Sequence, residues 1–335
     1  MLEKYQIIKT NNADILYLFL NVNYEFANEF TNESLKEKAT NYLKNYDIDF
    51  KGNKIIFVIN GITTKSINLN DYNIFKDDQL ITLSNDDKLT VTELLLSFLF
   101  ANISINLRKE TLKAICVLYR DEIIRNLTNN YLDLTKLSLS YHNYNYFKLT
   151  YPETFKSHFK IFNAAIKETE GEYLIYDNKP IKCLMHLVSN GYTEEDDNIP
   201  YTIKKESLWD LTYPNYLQQK SYSIKEFKKR LNLTDNNYHL KIESISNSNR
   251  IKEINLGGRI IEAKTLAVYL NLPSTDITII IKKDYLTFVT RGIGSGLGLS
   301  IIGADNLAEL GYNYKQILNY YFKDVSLVVP KQNHD

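Results

Sequence analysis

Glycine is concentrated in one short segment of this chain. Five of the 12 glycines lie between residues 291 and 304, where they alternate with small or apolar residues. Glycine is needed where φ is positive or where another group must approach the backbone closely. Apolar residues at helical spacing follow over residues 305–322. The segment therefore predicts a tight, backbone-lined loop that forms one wall of a site and leads into a helix.

The charge balance of the chain is neutral. Lys and Arg together number 40, as do Asp and Glu, and 44% of the residues are hydrophobic. This is an ordinary globular composition with enough apolar residues for a sizeable core. A neutral balance argues against binding to nucleic acid or to anionic membranes through bulk electrostatics, while a local basic patch remains compatible with it. We therefore expect no nucleic-acid partner.

Signals for export or membrane insertion are weak. The apolar run at residues 15–20 is short for an export signal and lacks a preceding cluster of positive charge. No stretch approaches the roughly 20 apolar residues that a membrane span requires. The expected location is therefore cytoplasmic, without a membrane span. The alternative is the cell envelope, if a precursor carries a segment that this sequence lacks.

The two cysteines, Cys116 and Cys183, lie far apart in apolar stretches. A free cysteine in such a setting commonly acts as a small buried hydrophobe, and a disulfide framework is not expected. His186 follows Cys183 by three residues, which leaves a metal pair as the weaker alternative to a buried core histidine. We expect no metal and no other cofactor.

The order of hydrophobic patterns predicts an α+β fold. Residues 13–71 have the pattern of a strand, a helix and a strand, followed by an Asn-Gly turn and a return strand. Residues 89–126 show two helical apolar faces joined near residues 104–106, and the chain is strand-rich from residue 172 onward. We expect a helical segment packed on an irregular, mostly antiparallel sheet. The expected organisation is an N-terminal β-α-β-β module over residues 1–86, a main domain over residues 87–329 and a tail over residues 330–335.

The glycine-rich loop resembles the signature of the stage II sporulation protein D family, also called the amidase-enhancer domain. The family loop runs Arg-Gly-x-Gly-His-Gly-Val-Gly-Met-Ser-Gln-x-Gly-Ala, and residues 291–304 here read Arg-Gly-Ile-Gly-Ser-Gly-Leu-Gly-Leu-Ser-Ile-Ile-Gly-Ala. The family's Tyr-x-x-Ile-Leu-x-x-Tyr ending is also present, at residues 314–321. Two polar family residues are replaced, a histidine by Ser295 and a glutamine by Ile301. The resemblance extends over roughly residues 89–329 and implies a sporulation role in the cell wall.

The resemblance also places an amide where some family members carry their catalytic acid. Aligned on the helix at residues 111–121, Glu93 matches the first family glutamate and Asn102 takes the place of the second. The second glutamate is the catalytic residue of members that cleave peptidoglycan as lytic transglycosylases. An asparagine amide supplies no titrating proton, and loss of general acid–base catalysis costs about 10²–10⁴ in rate. We expect no catalytic residue; the alternative is a substitute carboxylate among Glu93, Glu110, Asp121 and Glu122.

A second motif, Ser-Asn-Gly-Tyr-Thr-Glu at residues 189–194, resembles the family's Ser-x-Gly-Gly-x-Thr-Glu turn. Small hydroxyl and amide groups on a turn suit the recognition of N-acetyl and hydroxyl groups, although the hydroxyls also satisfy turn backbone groups. Arg120 and Arg291 could each bind a lactyl carboxylate through charge-assisted hydrogen bonds. A role as a buried brace between two elements is an equally good interpretation. The expected substrate-binding residues are Asn102, Arg120, Ser189, Asn190, Thr193, Glu194, Arg291, Ser295 and Ser300.

Three functions are compatible with these motifs. The favoured one is a catalytically inactive glycan-binding or scaffold homologue of lytic transglycosylases, with peptidoglycan glycan strands or a cell-wall hydrolase as partner. The second is an active lytic transglycosylase that uses a substitute carboxylate. The third is a cytoplasmic interaction protein that reuses the fold. For the favoured function, we expect the loop around Ser295, the turn at residues 189–194 and Asn102 to line a common cleft.

Overall fold

A computed structural model describes residues 76–103, 106–233 and 239–328, together with the backbone of four strands within residues 2–68. These four strands form one sheet in the order β1-β2-β3-β4, in which β2 and β3 are parallel and the other neighbours antiparallel. The predicted strands of the N-terminal module and its hairpin are therefore present, and β1 is an addition. The predicted helix at residues 33–46 lies outside the described residues. The strands are β1 Leu2–Lys9, β2 Asp14–Leu20, β3 Lys54–Ile59 and β4 Ile62–Asn68.

The described chain divides into two compact units. The second unit comprises Leu107–Ala114 and Cys183–Asp324, and the first comprises the residues before, between and after these two segments. The strand β5, Leu80–Leu83, lies before the expected module boundary at residue 86, whereas its partner strands, β6 at Lys88–Thr90 and β8 at Tyr131–Leu132, lie after it. The extent of the N-terminal module stays a prediction.

Among the residues that the structure describes, the first unit contains two further small sheets and four helices. Its sheets have the strand orders β6-β5-β8-β7 and β10-β9-β19. The strands are β6 Lys88–Thr90, β7 Leu127–Thr128, β8 Tyr131–Leu132, β9 Tyr173–Tyr176, β10 Lys179–Pro180 and β19 Ser326–Val328. The helices are α1 Val91–Asn102, α2 Lys109–Asn126, whose first turns belong to the second unit, α3 Tyr144–Thr150 and α4 Pro152–Glu168; Leu134–Lys136 is a 3-10 turn.

Helices α1 and α2 confirm the two predicted helical faces. Thr90 caps α1 through a capping box with Glu93, which satisfies backbone donors at both positions. The apolar positions that predicted the α1 face, Leu94, Leu95, Phe98 and Leu99, are all fully buried. Burial of such a face is what stabilises a helix of this length.

The second unit is built from small sheets around its own core. Strands β12-β17-β16 and β13-β14-β15 form two antiparallel three-stranded sheets, and β11 pairs in parallel with β18. Phe227 and Phe288 stack in the core, with ring centroids 6.0 Å apart. The strands are β11 Met185–His186, β12 Leu217–Ser223, β13 Leu240–Ile245, β14 Ile251–Leu256, β15 Arg259–Glu262, β16 Ile277–Ile281, β17 Tyr285–Arg291 and β18 Leu299–Ser300. The helices are α5 Ile224–Arg230, α6 Ala263–Tyr269, α7 Ile301–Glu309 and α8 Tyr314–Tyr321; Leu208–Thr212 is a 3-10 turn.

The helical pattern after the glycine-rich loop corresponds to two helices instead of one. Helix α7 ends near Gly311, which has a φ of +92°. Asn313 then starts α8 through a capping box with Gln316. Together with the small, mostly antiparallel sheets, these helices give the mixed α+β fold that the sequence predicts.

Candidate functional site

The glycine-rich loop packs against the chain's own backbone. Gly292, Gly294, Gly296 and Gly298 all have positive φ, between +69° and +111°. A Cβ at Gly294 would lie 2.6 Å from the Cβ of His186, and one at Gly292 would lie 2.8 Å from the carbonyl oxygen of Val188. The close approach that the sequence predicts is therefore real, and the group that approaches is the chain segment around β11.

Backbone hydrogen bonds hold the loop in this position. Ile293 and Val188 bond to each other in both directions, at 2.7 and 3.1 Å. The Gly294 N–H donates to the carbonyl of Pro273, and the Glu194 N–H donates to the carbonyl of Gly296 at 2.7 Å. Ser295 is exposed, and its hydroxyl accepts a hydrogen bond from the Leu297 N–H at 3.2 Å. Ser295 is thus the residue through which this loop offers a side-chain hydroxyl to solvent.

Arg250 lies buried directly beneath Gly296. A Cβ at Gly296 would come within 2.6 Å of the Arg250 Cζ, so only glycine leaves room for this guanidinium. The guanidinium donates to the Ser274 hydroxyl at 3.1 Å and to the Asn190 amide oxygen at 3.3 Å. Its Nε lies 3.7 Å from a carboxylate oxygen of Glu194. Burial lowers the pKa of Arg250, and the nearby Glu194 carboxylate acts against this shift.

Three of the predicted site residues belong to the network around Arg250. The Glu194 carboxylate accepts hydrogen bonds from the Ser246 hydroxyl, at 2.6 Å, and from the Ser248 hydroxyl. The Asn190 amide donates to a carboxylate oxygen of Asp276 at 2.8 Å, and Arg291 donates to the other oxygen at 3.2 Å. Two arginines and two acids thus pair with each other in this network.

Ser189 and Ser300 converge on a second buried carboxylate, that of Asp210. The Ser189 N–H and the Ser300 hydroxyl both donate to Oδ2 of Asp210 at 2.7 Å. Ser300 also caps α7 by accepting from the Gly303 N–H at 3.2 Å. Burial raises the pKa of Asp210, although the hydrogen bonds from both serines act in the opposite direction. Asp210 therefore ties the turn at residues 189–194 to the end of the glycine-rich loop.

The hydroxyl groups of Ser189 and Thr193 both bond to backbone groups. Thr193 is fully buried, and its hydroxyl donates to the Ile203 carbonyl at 2.5 Å and accepts from the Lys205 N–H at 2.8 Å. The Ser189 hydroxyl accepts from the Gly191 N–H at 3.1 Å. The Ser189 hydroxyl thus satisfies a backbone group of the turn, and the Thr193 hydroxyl ties the turn to the backbone at residues 203–205. The part of both residues in substrate binding stays a prediction.

In the first unit, Asn102 uses its amide in both directions. Its nitrogen donates to the carbonyl of Ser140 at 2.8 Å and to that of Phe98 at 2.9 Å. Its oxygen accepts from the Ser140 N–H at 3.1 Å. A carboxylate at this position has no donor for either carbonyl. The amide therefore fastens the segment around Ser140 to the last turn of α1.

Arg120 is a buried brace within the first unit. It is fully buried, and its guanidinium forms a two-pronged ion pair with Asp77 at 2.7 and 2.8 Å. It also donates to the carbonyl of Glu172 at 3.1 Å. Cys116, on the same helix, is also fully buried, and this burial raises the pKa of its thiol to about 12. The contacts of Arg120 are those of a buried brace, and its part in substrate binding stays a prediction.

The four carboxylates considered as substitute acids all have structural partners. Glu93 belongs to the α1 capping box, Glu122 accepts from the Ser138 N–H at 2.7 Å, and Glu110 accepts from Lys113 at 2.8 Å and from the Tyr314 N–H at 2.8 Å. Asp121 is fully buried and accepts from the Leu174 N–H at 2.9 Å. Burial raises the pKa of Asp121 well above its usual value, and the same burial encloses this carboxyl group away from solvent.

Seven of the nine predicted binding residues lie in the second unit, and Asn102 and Arg120 lie in the first. The common cleft stays a prediction. Sequence reasoning missed Arg250, Asp210 and Asp276. Each of them meets partners that are distant in sequence, for example 60 residues between Arg250 and Asn190, and no short motif marks such contacts.

The sequence also raised the questions of a metal site near His186 and of a membrane-spanning helix. Within the part of the chain that the structure describes, no three His, Cys, Asp or Glu side chains are grouped to hold a metal ion. His186 is buried, its Nδ1 lies 3.1 Å from the Leu297 carbonyl, and burial lowers its pKa to about 3. Among the described helices, none combines the length and apolar character that a bilayer span requires.

Comparison with known proteins places these motifs in a family context. No protein-family model matches the chain. Stage II sporulation protein D of Bacillus subtilis (strain 168) is 27% identical over 236 residues, which cover 66% of this chain and 69% of that protein. Stage II sporulation protein D of Bacillus amyloliquefaciens is 25% identical over 257 residues, which cover 72% of this chain and 75% of that protein. The chain that carries the glycine-rich loop and the turn at residues 189–194 is thus similar to stage II sporulation protein D of both Bacillus species over about two thirds to three quarters of its length.

Proposed function

We propose that this chain is a catalytically inactive sporulation protein that binds or scaffolds peptidoglycan glycan strands. The observation that carries the proposal is the amide of Asn102, which donates to and accepts from the backbone of Ser140. The family resemblance assigns this position to the catalytic glutamate of lytic transglycosylases. Here the position serves a structural purpose that a carboxylate does not fulfil.

The partners of the remaining carboxylates support the same proposal. A transglycosylase needs a carboxyl group that protonates the glycosidic oxygen and then acts as a base, and this group must reach the substrate. Glu93 and Glu122 are engaged by backbone donors, and Asp121 is fully enclosed. Each of these three groups is therefore engaged or enclosed, and Glu110 bonds to Lys113 and to the Tyr314 N–H, which supports a protein without a catalytic acid.

The binding part of the proposal rests on the second unit. Ser295 is exposed, and Arg291 has 39% of its side chain exposed, next to Asn190 and Asp276. These side chains are suited to contact sugar hydroxyl, N-acetyl and lactyl carboxylate groups. Thr193, Ser189 and Ser300 are buried and hold the two surface segments in place.

The catalytic part is tested by digestion of denuded glycan strands. Purified protein is expected to release no anhydromuropeptides above background in mass spectrometry, whereas a lytic transglycosylase run in parallel releases them. Asn102→Glu is expected to remain inactive, because the glutamate loses the donors that the amide supplies to Ser140 and Phe98. Clear anhydro products from the unmodified protein would refute the proposal and favour a substitute carboxylate.

The binding part is tested by pull-down with insoluble peptidoglycan. Arg291→Ala is expected to lower retention, because it removes the exposed guanidinium beside Asn190. Arg259→Ala, in the exposed strand β15, provides the matched control. Two outcomes would count against a glycan site at Arg291. Either both variants are retained equally, or peptidoglycan retains none of the three proteins. A protein-interaction role without glycan binding would then be favoured.

A further inference from the structure

The turn between α3 and α4 carries apolar side chains into solvent. Residues 148–154 are all exposed. Leu149 is 81% exposed and Tyr151 is 51% exposed, and Tyr146 on the preceding turn is 46% exposed. Large apolar side chains with this exposure, grouped at the end of a helical hairpin, are typical of a surface that meets another apolar phase.

Aromatic packing fixes the direction of the two tyrosine side chains at this turn. The rings of Tyr146 and Tyr151 meet edge to face, with centroids 6.2 Å apart. Below them, Phe100 stacks on Phe147 at 5.5 Å and on Phe155 at 4.9 Å. The hairpin end is therefore supported by a continuous group of rings, and little side-chain order has to be gained on binding.

The charge around this hairpin differs from that of the whole chain. Residues 134–167 contain five lysines and a single acid, Glu153, whereas basic and acidic residues are equal in number over the whole chain. Lys148, Lys156 and Lys160 are all exposed. This is the local basic patch that a neutral composition leaves open.

We propose that the α3–α4 apex, formed by Tyr146, Leu149 and Tyr151 with Lys148, Lys156 and Lys160, docks on the surface of a bilayer that contains anionic lipids. Leu149 enters the acyl boundary, the tyrosines lie at the level of the headgroups, and the lysines meet lipid phosphates. A polar polymer such as a glycan or a nucleic acid matches the lysines but does not bury the aliphatic tip. The proposal is independent of the proposed glycan function.

Vesicle co-sedimentation of the full chain tests this inference. The two probes are vesicles of phosphatidylcholine alone and vesicles in which phosphatidylglycerol replaces part of the phosphatidylcholine. We expect binding to the anionic vesicles only, and weaker binding as salt is raised, because salt screens the attraction of the lysines. Equal binding to both vesicle types, or binding to neither, would overturn the proposal.

Two variants separate the apolar and the charged contributions. Leu149→Ser is expected to weaken vesicle binding about tenfold, and Lys148→Gln with Lys156→Gln is expected to weaken it about fivefold for each lysine. Val268→Ser and Lys264→Gln are the matched controls, since Val268 is 78% exposed and the Lys264 side chain 77% exposed on α6, in the second unit. Circular dichroism checks that all four variants are folded.

The same variants identify other occupants of the apex. If Leu149→Ser leaves vesicle binding unchanged while the lysine variant abolishes it, the attraction is electrostatic only and the docking geometry is wrong. If the variants instead weaken binding to insoluble peptidoglycan or to nucleic acid, and vesicles are not bound, the apex is a polymer site and the lipid proposal fails.

Discussion

Single residues explain why the glycine-rich motif is so dense in glycine. Gly296 leaves room for the buried guanidinium of Arg250, and Gly294 leaves room for His186. The motif is therefore a packing solution that places an exposed Ser295 above a buried cation. At the same scale, Asn102 shows how an amide that both donates and accepts is a different structural element from a glutamate.

Replacing Gly296 by alanine is the direct test of this packing. The positive φ alone costs about 1–2 kcal/mol for a residue with a Cβ, and the contact with Arg250 is expected to add about 1–3 kcal/mol. Gly258→Ala is the control, because Gly258 has a similar φ of +93° and open space around its Cβ position. Urea unfolding should show a clearly larger loss for Gly296→Ala; equal losses would mean that the loop and Arg250 move apart at no cost.

At the scale of elements, local signals predicted much of the fold and little of the site. The helical faces of α1 and α2 and the hairpin of β3 and β4 were legible in the sequence, because periodicity and turn residues are local properties. The break between α7 and α8 was missed, since apolar spacing continued across Gly311. Asp210 was missed because its partners Ser189 and Ser300 are 21 and 90 residues away along the chain.

Asp210 joins these elements through a carboxyl group whose pKa is raised by burial. The folded protein therefore binds this proton more tightly than the unfolded chain does, so the contribution of Asp210 to stability declines as pH rises from its usual pKa of 3.8 through the raised value. We expect the free energy of unfolding, measured with urea at about pH 4 and about pH 7, to decline with pH for the unmodified protein relative to Asp210→Asn.

Asp133→Asn is the control for the pH experiment, because the stability that Asp133 contributes changes with pH in the direction opposite to that of Asp210. Hydrogen bonds from Thr135 lower the pKa of Asp133. The contribution of Asp133 to the free energy of unfolding is therefore present above its usual pKa and is lost as pH falls. The difference between the unmodified protein and Asp133→Asn should grow with pH. The same sign for both variants would show that Asp210 is not held in the buried setting described.

For the molecule as a whole, the chain divides into two units, each with buried apolar residues and one cysteine. Cys116 lies in the first unit and Cys183 in the second, and both are buried, as the sequence predicted. The pKa of Cys116 is raised to about 12 by burial, so at neutral pH its reactive thiolate is scarce even before access is considered.

These two thiols can report on the two units separately. Phe288→Ala removes a ring from the second core and is expected to cost about 3–5 kcal/mol. Mass spectrometry after pulses of a thiol reagent should show faster labelling of Cys183, with a smaller change at Cys116. Tyr285→Ala, at a 55% exposed position of the same strand, should change neither rate. Equal acceleration at both thiols would mean that the two units unfold as one.

Because β9 pairs with β19, the sheet that contains β9 is completed only late in the synthesis of the chain. Strand β19 begins at Ser326, about 150 residues after β9 ends at Tyr176. A ribosome that adds about 5–20 residues per second takes about 8–30 s to make the intervening chain. During that interval one edge of β9 lacks its native neighbour, and unpaired edges recruit other strands. Nascent chains of this protein should therefore depend on chaperones longest between the emergence of these two strands.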